Sequence, residues 1–374
     1  MDSCDVVIVG GGPAGSSCAW KLRNSGLEVM MLDKDKFPRD KACAGWVTPG
    51  ALQELALDAA EYANGRVLQP IFGFRTCYIG GPVVETRYDH AVGYGIRRIE
   101  FDQYLVERSG VWLQDGEELT SLERASDAWV INKGLRASVL VGAGGHSCPV
   151  AQHLGAKPSS EPALVAREME YRVDGPALDE CAVEPGIAEI YYCTDLKGYG
   201  WCLRKKNYIS IGLGRTDRTL FNAHMTTFLQ HLKKHNKLPG DVPDTLQGQN
   251  YLLYGMGRRL PVADRALLLG DSAGLANPRS GEGIRPAIES GLLAGRTIQE
   301  AQGDYSRQKL EPYRARLISR FGPGKDGRMD RISKSLPDRL RIFLARRLLA
   351  SIRFSRDILL NRWLLRADEL PLMY

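Results

Sequence analysis

The 374-residue chain has no run near the length of about 18 consecutive apolar residues that a membrane-spanning helix needs, which excludes an integral helical membrane protein. It has no internal repeat and no low-complexity tract. With 44% hydrophobic and 25% charged residues, it reads as a globular protein long enough for two domains around a large core. None of the eight cysteines, at 4, 18, 43, 77, 148, 181, 193 and 202, is spaced Cys-x-x-Cys. That argues against a structural zinc or any other metal site and for reduced thiols in a cytoplasmic compartment. Cys4 and Cys18 sit in apolar surroundings and read as small core residues. The start, Met-Asp-Ser-Cys-Asp, is acidic where a secretory signal carries positive charge, and the apolar Val6 to Val9 runs straight into glycines, so it reads as a strand.

What is present begins with that strand. Asp5 to Val9 is β-branched and apolar, as a buried parallel strand should be. It leads into Gly10-Gly11-Gly12-Pro13-Ala14-Gly15, then a helical stretch from Ser16 to Ser25 ended by Gly26, then a second apolar strand, Leu27 to Leu32, closing on Asp33 and Lys34. This is Gly-x-Gly-x-x-Gly in the strand, helix, strand and acid context that binds a dinucleotide. Gly10 makes the tight turn, and Gly12 lets a pyrophosphate approach the backbone where the helix N-terminus favours negative charge. Gly15 permits close helix-strand packing, and Asp33 is placed to accept from ribose hydroxyls. Gly10, Gly12, Pro13, Ala14, Gly15, Asp33 and Lys34 are therefore cofactor-binding candidates. No second such fingerprint exists, so no separate domain is dedicated to a nicotinamide nucleotide.

A second segment distinguishes FAD from NAD. Ala266 to Leu269 is a short apolar strand turning at Gly270 onto Asp271, followed by Gly281-Glu282-Gly283-Ile284 opening a helix rich in small residues (Ala287, Ser290, Gly291, Ala294, Gly295). It resembles the second FAD motif of the para-hydroxybenzoate hydroxylase-like flavoproteins. The resemblance implies that Asp271 bonds a ribityl or ribose hydroxyl, and that Gly281, Gly283 and Ile284 aim backbone N–H groups at the flavin ring. Taken alone, Asp271 also reads as a turn or helix-cap aspartate. Arg98-x-x-Phe101-Asp102 with Leu105 resembles a segment of the same family whose arginine contacts the flavin phosphates, while Arg97 beside it reads as a surface charge. Val139 to Ser147 resembles Val-Gly-Ala-Asp-Gly-x-x-Ser with Gly144 in place of the aspartate, and His146 reads as a loop residue.

Within that superfamily, Phe37-Pro38-Arg39-Asp40-Lys41-Ala42-Cys43-Ala44-Gly45 is similar to the Phe-Pro-Arg-x-Lys-x-Cys-Gly-Gly segment of the geranylgeranyl reductase family, with Ala44 where glycine is usual. The resemblance places Arg39, Cys43 and Ala44 beside the cofactor. Gly198 to Lys205 and Tyr208 to Gly212 read as two antiparallel strands joined at residues 205–207. The first resembles the Tyr-x-Trp-x-Phe-Pro-Lys signature of the same reductases, with Leu203 and Arg204 replacing Phe-Pro. Tyr199 and Trp201 alternate by two, so they share one face, either as a cavity wall suited to a long apolar ligand or as a packed aromatic pair. Cys43, Tyr199 and Trp201 are the catalytic-site candidates.

Between Arg331 and Arg366 ten basic residues stand against Asp338 and Asp357, so this stretch carries +8 and the rest of the chain −2 of the overall +6. Apolar residues interleave the arginines, with Leu344, Leu348, Leu349 and Ile352 at helical spacing after a start at Pro337-Asp338. Residues 337–366 read either as a peripheral contact with an anionic membrane or as a helical region packed on the body with its arginines in water. Nucleic acid does not fit so apolar a stretch.

The expected fold class is α/β: a Rossmann-type FAD-binding domain (1–75, 93–157 and 252–305), an inserted antiparallel-sheet substrate domain (76–92 and 158–251) and a basic helical C-terminal region (306–374). The resemblance implies FAD-dependent saturation of double bonds in a geranylgeranyl-type chain on a lipid, chlorophyll precursor or quinone, with NADPH or a reduced carrier protein as electron donor. Two alternatives stay open: an FAD-dependent monooxygenase of an apolar or aromatic substrate, and a non-catalytic flavin electron carrier at a membrane surface. A halogenase fits poorly, since residues 71–82 offer Arg75 but no lysine. The oligomeric state and the proton donor are not readable.

Overall fold

A computed structural model describes residues 3–156, 163–244, 246–251, 253–254, 259–322 and 337–372. The expected domain limits at 157/158 and 252, and Arg331 and Lys334 of the basic stretch, lie outside these residues. The first strand, Ser3–Val9, is the centre of an eight-stranded sheet. It pairs in parallel with Val29–Asp33 on one side and Leu135–Gly142 on the other, setting Val6 opposite both Val29 and Val139. Val6, Val7 and Ile8 are fully buried, as parallel strands covered on both faces require. Ala266–Leu268 extends the sheet beyond Leu135–Gly142, so the two glycine loops predicted from distant parts of the chain leave strands on either side of Leu135–Gly142.

The helix after the first strand runs from Pro13 to Leu22, starting earlier than Ser16 because Pro13 and Ala14 already belong to its first turn, where a proline loses no bond. The long helix Ile284–Ala301 packs on it. The small residues are what bring them close: a Cβ on Gly291 would lie 2.2 Å from the Ala14 carbonyl oxygen.

A seven-stranded sheet runs Gln247–Tyr251, Leu164–Arg172, Tyr208–Arg215, Gly198–Lys205, Ile187–Tyr192, Gly73–Tyr78 and Val84–Arg87. It is antiparallel except where Ile187–Tyr192 meets Gly73–Tyr78. One face is closed by the helix Phe221–Lys234, whose Phe221, Met225, Phe228 and Leu232 are buried. The other face looks toward the first sheet. Three short strands, Trp46–Val47, Leu68–Ile71 and Gly93–Ile96, form a small sheet between the two.

The basic tail has two parts. Asp338–Leu349 is a helix carrying exposed Leu340, Phe343, Leu344 and Leu348, with Ile352 exposed just beyond its end. Phe354–Leu364, a wide π-type helix, packs Leu360 and Leu364 against Ile71, Phe74, Ile190 and Leu203. The tail is therefore anchored at one end and presents its apolar stripe outward at the other. Among the described residues no helix is long and apolar enough to cross a membrane.

Candidate active site

The space between the glycine loops and the open face of the second sheet is a cavity of about 880 Å³. It brings together Gly10, Gly12, Pro13, Ala14, Asp33, Lys34, Arg39, Cys43, Ala44, Arg98, Tyr199, Trp201, Asp271, Gly281, Gly283 and Ile284, separated by up to 274 positions in the chain. Of the residues singled out in the sequence, Gly15 and Gly270 stand behind the wall. A Cβ at Gly15 would fall 1.9 Å from the Gly10 carbonyl oxygen, and one at Gly270 would meet Ala14 and Ala287 at 3.3 Å. Gly10 has φ +113° and faces Ala143 so closely that a Cβ would lie 2.5 Å from its carbonyl oxygen. Only glycine fits that turn.

At one end of the cavity the charges converge. Asp33 accepts from the Gly11 N–H at 2.7 Å and from the Asp35 N–H at 3.0 Å, which fixes its carboxylate beside the loop while each oxygen keeps capacity for a hydroxyl. Arg98 is buried and forks onto Asp102 with two bonds of 2.8 Å. Arg39 lies 3.2 Å from the same Asp102, and its buried Nε finds no hydrogen-bond acceptor. Burial, then the neighbouring Arg98 and Arg39, push the Lys41 ammonium below its usual pKa. Asp271 is pushed the other way by burial, against the pull of Lys41, Arg98 and Arg259. A guanidinium N–H without a hydrogen-bond acceptor and an ammonium with a raised cost of charge, beside a loop whose Gly10 and Gly15 admit no Cβ, form a cradle that fits a diphosphate anion.

At the other end the walls are apolar and aromatic: Trp46, Phe74, Ile190, Tyr199, Trp201, Leu203 and Leu364. Tyr199 and Trp201 share the cavity face, their ring centroids 6.4 Å apart, and Tyr192 stands 5.8 Å from Tyr199. The Tyr199 hydroxyl donates to the Ser280 carbonyl, tying the second sheet to the Gly281–Ile284 loop. Cys43 sits between the two ends. Its thiol reaches the Arg98 guanidinium, and its backbone N–H donates to Glu168. Gly45 follows with φ +61°, where a Cβ would strike the Ile96 carbonyl oxygen at 2.2 Å and Lys205 Nζ at 2.3 Å. Ala44 has no such left-handed conformation, so its methyl is tolerated where glycine was the family expectation.

Several residues that matter to this geometry escaped the sequence reading. Lys41 was inside a quoted motif without a role, although its position two residues from Arg39 was a usable signal. Glu282 lay inside the Gly281–Ile284 segment without a role, and Glu168, Tyr251 and Arg259 carried no motif. Arg259 donates to the Asp271 and Ser272 carbonyls at 2.8 and 2.9 Å and to the His146 carbonyl at 3.2 Å, locking two loops together. Arg97 is no simple surface charge: it bonds Glu170 at 2.9 Å, pairs with Glu100 and stacks 3.8 Å from the Tyr208 ring centroid. Cys193, Asp195 and His224 place ligand-type atoms within 4.8 Å of one another, but Arg215 already forks onto Asp195 at 3.1 and 2.7 Å.

These features define an FAD-dependent oxidoreductase with a dinucleotide cradle and an apolar chamber in one cavity. The chain belongs to the FAD binding domain family, whose model matches residues 3–318. It is 24% identical over 330 residues to a digeranylgeranylglycerophospholipid reductase of Methanocaldococcus jannaschii, covering 84% of this chain and 82% of the relative. It is 25% identical over 357 residues to digeranylgeranylglycerophospholipid reductase 1 of Methanothermobacter thermautotrophicus, covering 89% and 85%. Among solved structures it shares the fold of a geranylgeranyl bacteriochlorophyll reductase-like protein of Thermoplasma acidophilum, with a TM-score of 0.72, 22% identity and coverage of 94% of this chain and 88% of the other.

Proposed function

We propose that this chain is an FAD-dependent reductase that saturates carbon–carbon double bonds of a geranylgeranyl-type prenyl chain carried on a lipid, a chlorophyll precursor or a quinone. One observation carries the reading: the cradle for the diphosphate and the aromatic chamber are a single cavity, so a redox ring and an apolar chain can lie against each other. The relatives named as digeranylgeranylglycerophospholipid reductases support it. Gly10, Gly12, Pro13 and Ala14 would receive the pyrophosphate with Arg39, Lys41 and Arg98. Asp33 and Lys34 would lie at the adenosine end, and Asp271 with Gly281, Gly283 and Ile284 at the flavin end. Cys43, Ala44, Tyr199 and Trp201 would shape the space over the ring and exclude water from it. Bound and reduced, FAD supplies a hydride equivalent; NADPH or a reduced carrier protein would recharge it.

The tail belongs to the same reading. Exposed Phe343, Leu344, Leu348 and Ile352 among exposed Arg339, Arg347, Arg353 and Arg356 form a surface that suits the anionic face of a bilayer, where a prenyl lipid resides.

The test is anaerobic. The protein is reduced with dithionite, mixed with a geranylgeranyl lipid, and followed by flavin absorbance and product mass. Reoxidation with two hydrogens gained per saturated bond is the expected result. Reoxidation only in air, with oxygen in the product, would overturn it in favour of a monooxygenase; a flavin indifferent to the lipid under both conditions would leave an electron carrier.

A further inference from the structure

Saturating an alkene takes one hydride equivalent and one proton, and the reductase reading names a source only for the hydride. Five carboxyl groups line the cavity deeply, and one of them, Glu189, is paired with Arg75 and Lys237. Asp33 is held by two backbone N–H groups beside the glycine loop, and Asp271 is surrounded by Lys41, Arg98 and Arg259. Glu282 has two buried oxygens without a hydrogen-bond partner, but it stands on the Gly281–Ile284 loop under the charge of Arg366 and Arg285, off the apolar wall of the second sheet. Glu168 differs in its placement. It stands midway along Leu164–Arg172, the strand next to the edge of the second sheet, in a register line that runs Ile190, Trp201, Gly212, Glu168, Gln247 across five strands, so all five share the cavity face.

Gly212 is what opens that line. A Cβ there would lie 2.1 Å from the Trp201 ring, so the indole lies flat across the glycine toward Glu168. Glu168 is 5% exposed. Its Oε1 accepts the Cys43 backbone N–H, which fixes the carboxyl beneath the residue expected next to the flavin ring, and its Oε2 has no hydrogen-bond partner. Trp201 Nε1, in the same line, is also buried and unpartnered. Two orphaned polar atoms on one apolar wall mark a place where a reacting group is received.

We propose, resting on the reductase reading, that Glu168 is the catalytic acid, delivering the proton from Oε2 to the alkene carbon that does not receive the hydride. One C–H bond forms with the hydride equivalent of the reduced flavin, which is oxidised as the alkene is reduced. The Oε2–H bond breaks as the second C–H bond forms on the neighbouring carbon. The carboxylate left behind is held by the Cys43 N–H and takes a proton back from water. The groups around it suit the task. Burial raises its pKa to about 7, the largest influence; Lys205 two strands away and the Cys43 N–H pull it down, while Glu170 on its own strand and Asp40 in the cysteine loop push it up. Lys205 is itself paired with Glu170 at 2.6 Å, which moderates its pull.

The experiment compares wild type, Glu168→Gln and Glu168→Asp as FAD-loaded proteins. In the anaerobic assay with a geranylgeranyl lipid, Glu168→Gln should lower the reoxidation rate by about 100-fold or more, Glu168→Asp should recover part of it, and flavin content should stay at the wild-type level. The wild-type rate should fall as pH rises through about 7, and the residual rate of Glu168→Gln should be flat. Without any substrate, infrared difference spectra across neutrality should show protonated carboxyl absorption titrating near 7 with contributions from Glu168 and Glu282, and Glu168→Gln should remove the Glu168 contribution and leave that of Glu282. A Glu168→Gln protein that keeps the wild-type rate, or a band unchanged by the substitution, overturns the proposal alone. A wild type that the lipid cannot reoxidise anaerobically overturns the reductase reading and the proposal with it.

Discussion

Glu168 exacts a cost from the fold for being placed where it is. Its folded pKa, about 7, stands above the ordinary 4.5, so the stability it contributes is present below the ordinary value and is lost as pH rises through about 7. The loss is on the order of 3 kcal/mol. Replacing it by Gln removes the charge in both states. The variant should therefore melt higher than wild type on the alkaline side of neutrality and no higher in mild acid, measured by scanning calorimetry of the FAD-free protein. Glu282, raised to about 7 by burial, adds a second contribution of the same sign that persists in the variant. Gly45 is the other residue whose identity is forced. With φ +61° and backbone and ammonium atoms within 2.3 Å of any Cβ, Gly45→Ala should cost about 2 kcal/mol or more and displace Lys205, read as a lowered melting temperature and reduced flavin retention.

Among the elements, the two halves of the tail answer to different forces. Phe354–Leu364 is held by packing: Leu360 is fully buried, and Asn361 accepts from the Tyr88 hydroxyl at 2.7 Å. Further on, Arg320 forks onto Glu289 and donates to the Leu370 carbonyl at 2.8 Å, while the Leu372 N–H reaches Glu54 at 2.7 Å. Leu360→Ala should destabilise by about 2–5 kcal/mol in chemical unfolding, from lost burial and the cavity left behind. The helix Asp338–Leu349 has the opposite character, since Phe343 is 55% exposed and Ile352 beyond it 66%. Phe343→Asp with Ile352→Asp should leave the melting temperature within a degree or so of wild type, because neither residue is buried. The same pair should abolish most co-sedimentation with phosphatidylserine vesicles at low salt.

Taken as a whole molecule, the features legible in the sequence were those whose parts lie within a few residues of one another. The strand, Gly10 to Gly15 and Asp33 form one continuous unit, and so does Leu267 to Asp271, because a turn at a strand end is a local event. The hairpin Gly198–Lys205 and Tyr208–Arg215 was legible for the same reason. Glu168 was not. Its meeting with Cys43 spans 125 positions and depends on the register of three strands, which no single-strand pattern encodes. Lys41 was visible as a letter in a motif, but its cost of charge comes first from burial and then from Arg98, which arrives from another segment. The tail's apolar stripe could be counted in the sequence, yet which side of it met the body depended on Leu360, Leu364 and Leu365 finding the second sheet first.

That anchoring has a kinetic consequence. Leu364, fifteen residues beyond the end of the exposed helix, is itself a wall of the cavity, so the segment that would touch lipid and the segment that bounds the chamber are one continuous stretch of chain. A catalyst entered this way samples substrate in two dimensions. Its turnover should track the mole fraction of prenyl lipid in the surface and not the amount per volume, so that diluting the bilayer with inert phospholipid at constant total substrate slows the reaction, while diluting the suspension with buffer does not.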